Sequence, residues 1–148
     1  MVTPPKFPNH APAPRRRERG ASEVLMLMLT TTLIAFAGLT YDAGMAFNAR
    51  REATNVAASA ARAGADVISV DALYQDGVPR LSPDAEGVAA NTVRAAGLTV
   101  LESRRESDFE LLVRTELVHE TTFLKILGIG SLTVDGEATA LVESRANR

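Results

Sequence analysis

From Val24 to Tyr41 the chain runs for 18 residues without a charge, and Glu23 and Asp42 bracket that run. A helix that crosses a bilayer needs about 17–25 apolar residues, so the run sits at the short end of what can span. Arg15, Arg16, Arg17 and Arg19 stand just before it, separated from it by Gly20. Positive flanks resist translocation. The sequence therefore predicts a single-pass protein of the cytoplasmic membrane, with a cytoplasmic N-terminus and Asp42 to Arg148 in the extracytoplasmic space.

The run is only moderately apolar, because Thr30, Thr31, Thr32, Thr40 and Gly38 dilute its leucines and methionines. A threonine hydroxyl in a helix bonds back to the carbonyl three or four residues earlier, which makes it tolerable in lipid. Two other readings compete. In the first, the segment is a cleavable secretory signal whose small-residue exit is Ala35-Phe36-Ala37, ahead of Gly38. In the second it is the buried helix of a soluble protein, which the flanking charges argue against.

A chain of 148 residues holds one modest domain with appendages. The net charge of −2 gives no global attraction for nucleic acid, and the basic cluster before the apolar run reads as topogenic. Cysteine is absent, which excludes disulfides, thiolate metal sites and cysteine nucleophiles. With no Trp and 5% aromatics, a carbohydrate-stacking surface is not indicated.

Three regions follow from the patterning. Residues 1–20 read as a disordered basic cytoplasmic leader, since Pro4, Pro5, Pro8, Pro12 and Pro14 crowd a stretch without apolar periodicity. Residues 21–70 read as the transmembrane helix continuing into an alanine-rich stalk. Ala46, Ala49, Ala53, Ala57, Ala60 and Gly64 recur there every three or four residues and form a narrow face without bulk. Such a face admits another backbone closely. Near Val67 and Val70 it is expected to pack on its own domain, and at Ala46 to Ala60 on another protein chain. Residues 71–148 read as a small extracytoplasmic α+β domain, a helix on about three antiparallel strands.

Within that domain Asp76-Gly77 and Pro79 mark a loop. Ser82 and Pro83 read as cap and first residue of a helix whose face is Ala85, Val88, Ala89, Thr92, Val93 and Ala96, ended by Gly97. Leu98 to Ser103 reads as a short strand and Arg104 to Asp108 as a hairpin loop. Phe109, Leu111, Val113, Thr115 and Leu117 alternate with polar or outward neighbours as a half-buried strand. Phe123 to Ile129 is too densely apolar to alternate and predicts a short helix or a turn-flanked segment. Leu132 to Val142 returns to strand alternation, with Asp135-Gly136 as a bulge or tight turn.

Signals for catalysis are missing. His10 falls in the leader and His119 at a strand end, neither beside a paired ligand or a serine motif. Asp108, Glu110 and Glu116 share the polar face of a strand, the pattern of solvated carboxylates. No calcium loop is present, and Gly128-Ile129-Gly130 lacks the lysine of a phosphate loop. The expectation is a protein that is not an enzyme, with no catalytic residues, no cofactor, no metal, no small-molecule substrate and no nucleic-acid partner.

Residues Gly20 to Ala65 resemble the N-terminal segment of the TadE/TadG-like proteins of bacterial Flp (tight-adherence) pilus systems. The resemblance lies in Arg19-Gly20, the apolar run, Leu39-Thr40-Tyr41-Asp42-Ala43-Gly44, Ala49-Arg50-Arg51 and the alanines from Ala57 to Ala65. It implies a minor pilin or pilus-assembly component that contacts the membrane and, through its N-terminal helix, other pilus or secretion subunits. It also implies leader cleavage between Gly20 and Ala21, as in prepilins. The glutamate expected five residues after such a cut is Leu25 here, and the nearest carboxylate is Glu23. Glu23 then either pairs with a neighbouring subunit's amine or sits solvated at the lipid interface. Retention of the leader, as in TadG-like members, stays equally open. Asp42 marks the outer membrane boundary or pairs with a basic residue of a partner. Competing with the pilus reading are a soluble binding module released after Ala37 and a tethered adaptor of another envelope complex.

Overall fold

The computed structural model describes Arg16 to Val142. In chain order the elements are α1 (Arg16–Ala65), α2 (Val70–Asp76), α3 (Ala85–Ala95), β1 (Thr99–Ser107), β2 (Glu110–Glu120), a 3-10 turn (Leu124–Leu127) and β3 (Ser131–Leu141). The fold is α+β: a long apolar N-terminal helix, then a small domain with a short helix and three antiparallel strands. His10 and the prolines of the leader lie outside the described residues.

The chain falls into two units whose boundary lies between Ala37 and Gly38. In the first unit α1 is helical, and each side chain from Gly20 to Ala37 is exposed. The hydroxyls of Thr30, Thr31 and Thr32 donate to the carbonyls of Met26, Leu27 and Met28, each at 2.8 Å, so these polar groups are satisfied within the helix itself.

The second unit takes in the rest of α1, whereas the sequence pattern drew the domain boundary at residue 71. Alanine is the strongest helix former and has no rotamer entropy to lose, which suits a helix that must approach a sheet. Ala49, Ala53, Ala57, Ala60, Ala61 and Ala65 are buried, and most of them join one core with Ala85, Ala89 and Val93 of α3 and Leu111 and Val113 of β2. Gly64 lies where an added Cβ would strike the Leu111 side chain and the Ala85 carbonyl, so α1, α3 and β2 meet there without room for a methyl group.

Strand order is β1-β2-β3, antiparallel throughout. On the helix-facing side of β2 stand Leu111, Val113 and Thr115, opposite Ala140, Ala138 and Gly136 of β3. The other face carries charges: Arg114 bridges Glu137 at 3.1 Å and Glu102 at 3.9 Å, and Arg104 reaches Glu102 at 2.9 Å and Glu106 at 2.7 Å. Exposed pairs of this kind contribute at most about 1 kcal/mol each, so the packed face governs stability.

Five local features differ from the sequence reading. Helix α1 ends at Ala65 rather than near Val70, and Ile68 then pairs with Leu81. Helix α2, capped by Ser69 and stopped by Gly77 at φ +69°, buries no residue and so left no apolar period to read. Helix α3 starts at Ala85, because Ser82 accepts the Asp84 N–H at 3.4 Å and holds Pro83-Asp84 as a turn. The hairpin loop shortens to Asp108-Phe109, since β1 continues through its arginines to Ser107. Gly136 is neither bulge nor turn: it pairs in register with Thr115.

At the C-terminus of α3, Leu98 donates to Val93 at 3.3 Å and Gly97, at φ +81°, to Arg94 at 3.0 Å. This paired arrangement is the Schellman stop that the glycine announced.

Candidate functional site

Two features of the second unit fix α1 to the domain: a seat for Ala53 and a clamp at Asp42. At the seat, the Thr115 hydroxyl donates to the Ala53 carbonyl at 3.0 Å, a buried donor finding a helix carbonyl's spare lone pair. Opposite Thr115, a Cβ on Gly136 would collide with the Ala53 carbonyl carbon and the Thr54 nitrogen. Glycine stands in a central position of β3 because helix backbone lies directly on it. Sequence patterning assigned the face at Ala46, Ala49, Ala53, Ala57 and Ala60 to another chain. The structure buries Ala49, Ala53, Ala57 and Ala60, the last three in one core with the protein's own α3 and β2, and leaves Ala46 half-buried.

Asp42 continues the same stripe one turn below Ala46 and is 1% exposed. Its carboxylate accepts the backbone N–H groups of Thr122 at 3.0 Å, Phe123 at 2.9 Å and Leu124 at 2.6 Å. These are the N–H groups that open the 3-10 turn and have no partner inside it, so a carboxylate there is both cap and counter-charge. Burial pushes the Asp42 carboxyl up, but the N–H donors of Leu124, Thr122 and Phe123, with His119 nearby, outweigh it and hold the group below its ordinary value. Asp42 is thus an internal staple joining positions 80 or more residues apart.

The aromatic contacts support the staple. The Phe123 ring stands edge-on to Tyr41, with centroids 5.8 Å apart and planes at 73°. It also covers Gly38, where a Cβ would lie 2.6 Å from two ring carbons. The loop closes on itself: Thr121 N–H donates to the Gly130 carbonyl at 3.1 Å, its hydroxyl donates to the Ile129 carbonyl, and Gly128 turns the chain at φ +89°. Sequence reading found Asp42 but not its partners, because backbone N–H groups carry no residue signature. One signal was available: Gly38, Asp42, Ala49 and Ala53 share a helical stripe, which placed the aspartate on the buried side.

The remaining site candidates, Gly20, Ala21 and Glu23, are exposed and belong to the first unit. His119 ends up near Asp42. Among the described residues, no three His, Cys, Asp or Glu side chains gather where they could hold a metal ion.

Taken together these features define a domain built around the C-terminal half of its own N-terminal helix, a helix that is, by length and composition, able to cross a membrane. Residues 20–67, about a third of the chain, match the family model described as putative Flp pilus-assembly TadE/G-like. That match supports the resemblance read from the sequence, and it covers both the apolar run and the alanine stripe. The matched family is one of pilus assembly rather than an enzyme class, and with the candidate membrane helix it fits a pilus component. Comparison with curated proteins and with solved structures gave no match.

Proposed function

We propose that this protein is a membrane-anchored, minor-pilin-like component of a Flp/Tad-type pilus or a related secretion apparatus. Its N-terminus lies in the cytoplasm, α1 crosses the cytoplasmic membrane, and the α+β domain works outside it through contacts with other subunits. The observation that carries this reading is the family match over residues 20–67, which coincides with the helix that is exposed and apolar at its start and domain-bound at its end. Gly20 and Ala21 are exposed, and on this reading a leader cut between them makes Ala21 the new N-terminus. Glu23, two residues further on, is then placed at the inner interface, near the positive helix N-terminus.

A second reading has one observation in its favour. The compact unit begins at Gly38, so cleavage after Ala37 releases it whole as a secreted module. The intact mass of the protein from fractionated native cells, combined with a count of surface pili in a deletion strain, separates the two. The pilus reading expects a membrane-bound species beginning at Met1 or Ala21, and pili lost on deletion and restored by the full chain. A soluble species beginning at Gly38, with normal pili, contradicts it.

A further inference from the structure

The stretch from Thr121 to Leu132 holds a single charged residue, Lys125, among Phe123, Leu124, Ile126, Leu127 and Ile129. The 3-10 turn at its centre buries nothing: Ile126 is 82% exposed and Leu127 78%. Two large aliphatic side chains side by side at such exposure ask for a partner. Their place in the fold says which. Asp42 holds the start of the turn, and Phe123 lies on Gly38 and Tyr41, the last residues of the uncharged run. Since the N–H groups that open the turn bond to Asp42, the turn begins beside α1 at the level of Asp42, and Ile126 and Leu127 follow it on the surface.

We propose that this turn is a membrane wedge, which sets Ile126 and Leu127 into the acyl–headgroup boundary of the leaflet where α1 emerges, with Lys125 among the lipid phosphates. The inference rests on the membrane-anchor reading. The span itself favours it: the 18 residues from Val24 to Tyr41 make about 27 Å of helix, against about 30 Å of hydrocarbon. A short span draws its flanking residues toward the lipid, and the first of them, Asp42, holds the start of the turn. An apolar turn with a lone cation also matches the chemistry of interfacial anchors. The domain is thereby pinned to the membrane at two points.

The absence of native cysteine allows single spin labels in the full chain. Ile126→Cys, Leu127→Cys, Leu33→Cys and Tyr74→Cys are labelled separately in bilayers of phosphatidylethanolamine and phosphatidylglycerol. Collision rates with oxygen, which concentrates in lipid, are compared with those of a water-soluble nickel chelate. Positions 126 and 127 are expected to favour oxygen, as at 33, whereas Tyr74, 86% exposed beyond the far end of α1, favours nickel. Nickel access at both 126 and 127, with 33 still in lipid, overturns the wedge and leaves the anchor standing. Low collision with both reagents at 126 and 127 overturns it in favour of a protein partner. Nickel access at 33 overturns anchor and wedge together.

Discussion

From Gly20 to Ala37, α1 exposes all its side chains, among them Leu25, Leu27, Leu29, Leu33, Ile34 and Phe36; from Gly38 to Ala65 it buries a stripe made of glycine, aspartate and alanine. Both stretches are helical and uncapped at their junction, and both are poor in charge on the side that matters. They differ in bulk. Large aliphatic side chains facing outward have no protein surface against them and suit a solvent of acyl chains, which needs no shape match. Alanine and glycine contribute little apolar area each, and their value lies in letting a sheet and a second helix approach to backbone contact. Residue size, more than hydropathy, therefore marks where one helix passes from fully exposed to domain-facing.

That contrast is open to attack at either stretch. The largest effect is expected at the seat: Gly136→Val forces a side chain into the backbone at Ala53 and should destabilise the domain by about 3 kcal/mol, the upper end for overpacking. Thermal unfolding followed by circular dichroism on the detergent-solubilised full chain measures it. In the apolar stretch, Leu33→Arg should disfavour membrane insertion by about 3 kcal/mol, in a glycosylation-based insertion assay, while leaving the melting of the domain unchanged. If that substitution instead lowers the domain's melting temperature, the two stretches are not independent and the contrast fails.

At the junction, Asp42→Asn keeps the size of the side chain but removes its charge and turns one of its two accepting oxygens into a donor. Because the folded carboxyl is held below its ordinary value, its stabilising contribution is present above the ordinary carboxylate range and is lost as pH falls through the folded value. Protection from hydrogen exchange at Thr122, Phe123 and Leu124, taken relative to the intrinsic rate at each pH, should therefore fall in acid in the wild type, and be lower but less acid-dependent in Asp42→Asn. Equal acid dependence in both assigns the effect to another group. The smallest effect belongs to Thr30→Val, Thr31→Val and Thr32→Val together, which should change insertion by less than about 1 kcal/mol, because each hydroxyl is satisfied by its own helix.

Elements with a local period were legible in the sequence: the uncharged run, the Gly97 stop of α3, the alternation of β2 and the apolar turn before Gly128 all stand where patterning put them. What stayed hidden depended on distant chain. The alanine stripe announced a close neighbour without naming it, since Gly136 and Thr115 reach Ala53 from more than 60 residues away. Gly136 read as a breaker because glycine in a strand has two causes, bulge and close approach, and only the packed structure separates them. Asp42 read as a boundary charge because its acceptors meet anonymous backbone. Helix α2, with Ser69 and Gly77 as caps but nothing buried, gave only its punctuation.

The central claim, one helix divided between lipid and its own domain near Gly38, is tested most directly by a cysteine scan of α1 in native membranes with a membrane-impermeant maleimide. Positions 24–37 should all be unreactive until detergent is added. Beyond 38, reactivity should alternate with the helix turn, absent at Ala49, Ala53 and Ala57 and present at Arg50, Thr54 and Arg62. Uniform reactivity from 24 to 37, or labelling at Ala53 and Ala57 in the folded protein, contradicts the account.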